Sequence, residues 1–308
     1  MSNSIKQLTA ALGNVLLGKE QQINLALACM LAKGHLLVED LPGMGKTTLS
    51  YALAKVMGLD YQRIQFTSDL LPADIIGTSI FNQTAHQFEF RSGPVFTQVL
   101  LADEINRATP KTQGALLEAM EEKQVTVDGQ SHPLPSPFFV IATQNPATQM
   151  GTFPLPESQL DRFLMRISLG YPDPKVERKL LAGFNPRADM DDLQPCIDKA
   201  GLVALQKQAE SIHVSDALLD YVQRILAYTR ESNEFAFGLS PRAGMALIAS
   251  AKAYAFVCDR NHVIPEDVQA VLGAVAEHRL AGSMDITGHE GVRLVDSVLK
   301  NVNVLAVR

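Results

Sequence analysis

The sequence predicts an α/β protein, a mostly parallel sheet covered by helices, followed by an all-helical C-terminal part. Three observations carry that expectation. Helical and strand periodicities alternate through the first two-thirds of the 308 residues. An apolar run at 36–38 enters a glycine-bearing turn and then a helix, the layout of a phosphate-binding strand, loop and helix. Beyond Pro172 the period is helical only.

Taken in order, Ile5, Leu8, Leu12 and Val15 mark a first amphipathic helix, followed by a turn at Gly18. A second helix spans about 20–33 and ends at Gly34. The strand Leu36–Val38 precedes a helix from Thr47 to Met57, closed by Gly58. Further strands are expected near 61–66, 99–102, 138–143 and 164–169. Two inserts interrupt the alternation. Residues 76–92 read as a polar hairpin, and residues 124–135 form a second around Asp128-Gly129, a strong two-residue turn signal. In the C-terminal part, Ser215 opens a helix carrying Leu218, Val222, Ile225 and Tyr228. Ser240-Pro241 opens another, with Ser as N-cap and Pro at the first helical position. Ile264-Pro265 begins a third. A soft boundary is expected between about Phe184 and Asp191.

Bulk properties narrow the function classes. A hydrophobic content of 46% with 19% charged residues is ordinary globular composition. The net charge of −6 argues against a mainly nucleic-acid-binding surface. Three widely spaced cysteines, with no CxxC or Cys/His cluster, read as reduced and mostly buried thiols. No apolar run approaches the roughly 18 residues that span a bilayer, and the N-terminus lacks a signal-peptide layout. A soluble, cytoplasmic protein is expected.

The chemistry-bearing residues begin with Pro42, Gly43, Met44, Gly45, Lys46, Thr47 and Thr48. Backbone N–H groups at a helix start face an anion, Lys46 reaches the β- and γ-phosphates, and the Thr47 hydroxyl ligates Mg²⁺. The strict pattern places Gly at position 40, where this chain has Asp40. Val99 to Glu104 is a buried strand that delivers two carboxylates to its C-terminal edge, where open α/β sheets hold ligands. Asp103 would hold Mg²⁺, and Glu104 would polarise the attacking water. Asn145 ends the next apolar strand, as a γ-phosphate or water partner or as a plain Asn-Pro turn. Arg162 is either a surface partner of Asp161 or a cation presented to a neighbouring subunit's nucleotide. Arg242 stands in the first turn of a helix, where the dipole disfavours cations, which hints at an anion above it. His213, His262 and His278 read as surface or capping groups, and Phe81, Phe88 and Phe90 as hairpin packing.

Together these pieces resemble an AAA+ ATPase of the MoxR family. The phrase Asp103-Glu104-Ile105-Asn106-Arg107-Ala108 with Pro110-Lys111-Thr112-Gln113 is close to that family's signature, as are Gly93-Pro94 and the run from Leu155 to Phe163. The resemblance extends from Leu16 to about Leu280. It implies a P-loop AAA+ core over 1–190 and a helical lid over 191–308. It makes 76–92 the helix-2 insert and 124–135 the pre-sensor hairpin. By the same resemblance Asn145 is sensor 1, Arg162 the arginine finger, Arg242 the sensor 2 arginine, and Leu16-Leu17-Gly18 the adenine-side turn. Arg107 is a second candidate for the subunit boundary. Cofactors are ATP and Mg²⁺.

The reading that follows is ATP hydrolysis in a ring, a hexamer by resemblance, coupled to remodelling of protein clients, with a von Willebrand factor A-type partner among the candidates. ATP is expected between core and lid, with Arg242 sensing the γ-phosphate. A metal-chelatase-type ATPase subunit is a near variant. A nucleic-acid motor fits poorly, since 68–90 and 128–135 carry no Lys or Arg to grip phosphates. A small-molecule kinase would need neither a finger nor a sensor-bearing lid.

Overall fold

The computed structural model describes residues 3–145, 151–183, 190, 192–282 and 294–305. The soft boundary expected between 184 and 191 lies almost entirely outside them.

Helix α1 (Asn3–Val15) buries the four residues of the expected stripe. Helix α2 (Glu20–Leu31) is buried almost all round, because α1 and the C-terminal helices cover it from different sides. Strand β1 (Leu36–Glu39) leads through the glycine turn into α3 (Lys46–Val56). After β2 (Tyr61–Gln65), the short α4 (Pro72–Ile76) carries the chain into a hairpin of β3 (Gly77–Asn82) and β4 (Gln87–Ser92). Strand β5 (Val99–Asp103) is followed by α5 (Pro110–Glu122) and a second hairpin, β6 (Gln124–Val127) with β7 (Gln130–Pro133). Asp128 and Gly129 both have positive φ, 51° and 76°, the combination that a two-residue hairpin turn requires. The last core strands are β8 (Phe139–Gln144) and, after α6 (Glu157–Leu160), β9 (Met165–Ile167).

The five core strands form one parallel sheet in the order β2–β5–β8–β1–β9. Side chains alternate between its faces with the strand period of two. Leu36, Val38, Val99, Leu101, Phe139 and Ile141 face α1–α3. Leu37, Leu100, Ala102, Val140 and Ala142 face α5, Phe66 and Phe163.

The C-terminal part comprises α7 (Pro174–Leu181), α8 (Lys199–Glu210), α9 (Asp216–Glu231), α10 (Pro241–Val257), α11 (Pro265–Ala276) and α12 (Leu294–Asn301). Ser215 and Ser240 cap α9 and α10 through their side chains. An antiparallel ribbon of β10 (Phe235–Phe237) and β11 (Ala281–Gly282) accompanies the helices, too short to show as a sequence period. The apolar cluster under α1–α3 runs without a break into α8–α12, so the helical part shares a core with one face of the sheet.

Candidate active site

Because the sheet is parallel, β1, β5 and β8 deliver their next residues to one edge. The phosphate loop leaves β1 there, Asp103 and Glu104 close β5, and Asn145 follows β8. Gly43 and Gly45 have φ of +83° and +92°, a backbone region nearly closed to side-chain-bearing residues. Gly45 caps α3 without any side-chain partner, leaving the helix's first N–H groups to an anion.

These residues line a cavity of about 450 Å³ that takes in Pro42 to Thr48, Asp103, Glu104 and Asn145. Its apolar end is made by Val15, Leu16, Leu17, Pro172, Val176 and Leu180. Gly18 adjoins that end, with Val176 and Asp173 as its close neighbours. Val176 and Leu180, one turn apart on α7, were not anticipated from sequence, although their spacing of four on an otherwise charged helix is the signal that could have found them.

Lys46 is buried and donates from Nζ to Asp40 O at 2.7 Å, Asn145 Oδ1 at 3.0 Å and Gln144 O at 3.4 Å. Burial lowers the ammonium below its ordinary value, while Asp103, Asp40, Glu104 and Glu39 pull it back up. Thr143 joins the two acids. Its Oγ1 donates to Asp103 Oδ1 at 2.6 Å and accepts from Glu104 N at 2.9 Å. The other Asp103 oxygen pairs with Arg63 at 2.6 Å. Glu104 itself adopts φ +57°, an uncommon conformation for a residue with a side chain. Asn145 Nδ2 donates to Glu104 Oε1 at 3.2 Å, and Glu104 Oε2 accepts from Gln65 Nε2 at 3.1 Å. Arg107, the second boundary candidate, lies against Glu104 Oε2 of its own chain at 3.0 Å.

Asp40, the departure from the strict loop pattern, proves to be a structural hub. Its Oδ2 accepts from the N–H groups of Leu169 and Gly170, both at 2.7 Å, and from Ser168 Oγ at 3.1 Å, and its Oδ1 accepts from Leu41 N. From the other side Lys19 Nζ donates to the carbonyls of Leu169, Gly170 and Tyr171. The turn that ends in the cavity wall at Gly170 and Pro172 is thus held from the phosphate loop and from the α1–α2 turn together.

Arg162 and Arg242 are absent from this cavity. Leu164 N donates to His35 O, and His35 Nε2 faces Met120 O. The turn before β9 and the last turn of α5 therefore meet at the N-terminal edge of β1. Arg162 pairs there with Glu121 at 3.0 Å, and Arg242 lies 3.7 Å from Glu121 and 3.8 Å from Asp161. The length of β1, roughly 13 Å at about 3.3 Å per residue, separates this group from the phosphate loop. Arg242 therefore faces carboxylates of its own chain, away from that chain's phosphate loop. Glu121 and Asp161 supply the anion that a cation in a helix's first turn requires.

His213 and His262 are exposed, as expected. His278 is not a surface group. It is buried against Phe163 O at 3.1 Å, and desolvation with neighbouring Arg279 and Arg166 holds it well below the ordinary histidine range. Of the three thiols only Cys29 is buried, and none is disulfide-bonded. Among the described residues no helix is long and apolar enough to cross a membrane.

Comparison with known proteins agrees with this geometry. Residues 35–165 match the ATPase family associated with various cellular activities, and residues 227–297 match an AAA lid domain. The chain is 46% identical to YeaC of Bacillus subtilis, with 87% of this chain and 84% of that protein covered. It is 42% identical to the chaperone MoxR1 of Mycobacterium tuberculosis, with 90% and 75% covered. A crystal structure of a candidate ATPase from Cytophaga hutchinsonii superposes with a TM-score of 0.87 at 38% identity, covering 99% of this chain and 96% of that one. A phosphate loop, paired acids at the adjacent strand end and relatives of this identity over nearly the whole length place the chain in the MoxR family of AAA+ ATPases.

Proposed function

We propose that this ATPase hydrolyses ATP at seams between copies of itself, in a closed ring of six, and uses the cycle to remodel protein clients. The observation that supports this is the distance of Arg162 and Arg242 from the phosphate loop of their own chain. A half-buried and an exposed arginine at the far sheet edge serve a nucleotide only if it belongs to a neighbour.

Within one chain the division of labour follows from the contacts. Lys46 exchanges carbonyl partners for β- and γ-phosphate oxygens, and the free N–H groups of α3 take the rest. The Thr47 hydroxyl and the Asp103 carboxylate are hard oxygen donors that fit Mg²⁺, which keeps most of its shell as water and phosphate. When bound, the ion would neutralise phosphate charge. Glu104 turns from Gln65 and Arg107 to the attacking water and accepts its proton, with Asn145 fixing the other carboxylate oxygen. Arg162 and Arg242 of the adjacent copy leave Glu121 and Asp161 for the charge that develops on the γ-phosphoryl group.

The two hairpins supply the client surface. Phe81 and Phe88 face each other across the strands at 5.3 Å, and Phe88 is 73% exposed. Phe90 stacks on His132 of the second hairpin at 3.9 Å, so the two hairpins are in contact. A hydrophobic tip without cations suits protein rather than nucleic acid.

Specific activity measured against protein concentration, alongside sedimentation in ATP, tests the assembly. The rate per chain should climb through the range where large species form. A strictly monomeric protein with concentration-independent turnover would refute the proposal.

A further inference from the structure

The cluster at the far sheet edge holds a third arginine that the reaction scheme does not use. Arg279 lies just past α11, with a side chain only 6% exposed. Its donors converge on one short segment. Nε reaches Asp161 Oδ1 at 2.6 Å, one terminal nitrogen reaches Asp161 O at 3.1 Å and Phe163 O at 2.7 Å, and the other reaches Leu164 O at 3.2 Å and Val275 O. The carbonyls on both sides of Arg162 are thereby tied to one planar guanidinium. His278 adds a contact to Phe163 O at 3.1 Å. The rigid fork of an arginine suits this task, because several donors are fixed by a single group.

The same residues are joined by charge. Asp161 is shared by Arg279 and Arg242, and Glu121 by Arg242 and Arg162. Three guanidinium groups meet two carboxylates, and the buried member is the one that grips the backbone. We infer that Arg279 is a positioning residue that fixes the Arg162 turn, so that the lid of one chain sets the cation offered to the next chain's nucleotide. This rests on the reading that Arg162 acts in trans. A displacement of α11 moves the finger with it, which gives neighbouring sites a mechanical connection through the lid. A clamp at the phosphate loop would act on its own site, whereas this one acts on the neighbour's.

The test uses the full chain with Arg279→Met, Arg279→Lys and Asp161→Asn, beside Arg162→Ala. Arg279→Met should bind a fluorescent ATP analogue and assemble like the parent while its kcat falls by about 10²-fold, the scale of a misplaced catalytic group. KM should change little. Adding Glu104→Gln chains, slowed in their own hydrolysis but carrying an ordered finger, should restore turnover at the Arg279→Met sites. Arg279→Lys, which keeps the charge and part of the donor set, should regain part of the rate. If the methionine variant melts early, Asp161→Asn carries the test with the same expected pattern. Parent-rate hydrolysis by folded Arg279→Met and Asp161→Asn would overturn the inference. So would a defect that Glu104→Gln fails to rescue while rescuing Arg162→Ala, because the damage would then lie in the variant's own site. Parent-rate hydrolysis by Arg162→Ala would instead remove the trans reading itself and the inference with it.

Discussion

Asp40 shows how far one side chain can depart from a motif without harming it. The position that favours glycine carries a carboxylate whose Oδ2 holds the turn at the base end of the cavity, while its carbonyl receives Lys46. Asp40→Gly, which would make the loop match the strict pattern, should therefore raise the KM for ATP by about ten-fold, on the order of one lost charge-assisted hydrogen bond. Little change in kcat is expected. A glycine variant with parent KM would show that the clamp does not shape the site. Glu104→Gln should retain ATP binding and lose hydrolysis by about 10²-fold or more, read by equilibrium binding beside phosphate release. His35 offers a pH test. Buried against Phe138 and Phe139, with Val140 N donating to its Nδ1, it is lowered by desolvation to about 4. The unfolded chain takes up this proton near 6.5 and the folded one only near 4, so stability is present above 6.5 and lost as pH falls toward 4. The loss between pH 7 and 5 is about 2 kcal/mol. Denaturant melts at both pH values should show it, and His35→Gln should flatten that part of the slope. The phosphate loop and the paired acids were legible in the sequence because they are local, a few consecutive residues on one strand and turn. Gln65, Arg63 and Lys19 were not, because their roles depend on strand register and on a turn some 150 residues away.

At the scale of elements, sequence periodicity served the amphipathic helices and apolar strands well. It also placed both hairpins, since Asp128-Gly129 admits few alternatives. What it missed follows from how each element is partnered. Helix α7 buries no residue within the chain and reads as charged, yet Val176 and Leu180 wall the cavity. His278 looked like a lone polar group because only tertiary packing places it under Phe163. Arg242 was recognised as anomalous from the helix dipole, but the dipole does not say whose anion compensates it. The hairpin tip carries its own prediction. Phe81→Ser with Phe88→Ser should cost about 1 kcal/mol of stability or less, the scale of an aromatic pair. Basal ATP turnover should stay at the parent level, while proteins captured by the Glu104→Gln chain in ATP are lost. Unchanged capture would remove this tip from the client surface.

On the scale of the whole molecule, one apolar cluster links α1–α3, a face of the sheet and the helices α8–α12, while the phosphate-loop cavity and the arginine–carboxylate cluster stand at opposite sheet edges. In the proposed scheme, such a chain holds two halves of a site that it cannot join by itself. The most direct measurement mixes two inactive variants. Arg162→Ala has an intact phosphate loop and no finger, whereas Glu104→Gln has a finger and no base. Each alone should be slowed, by about 10³-fold or more for the finger. Mixed and allowed to exchange, they should recover hydrolysis at seams where a complete loop meets a complete finger. A mixture as inactive as its components, with exchange demonstrated, would contradict the account.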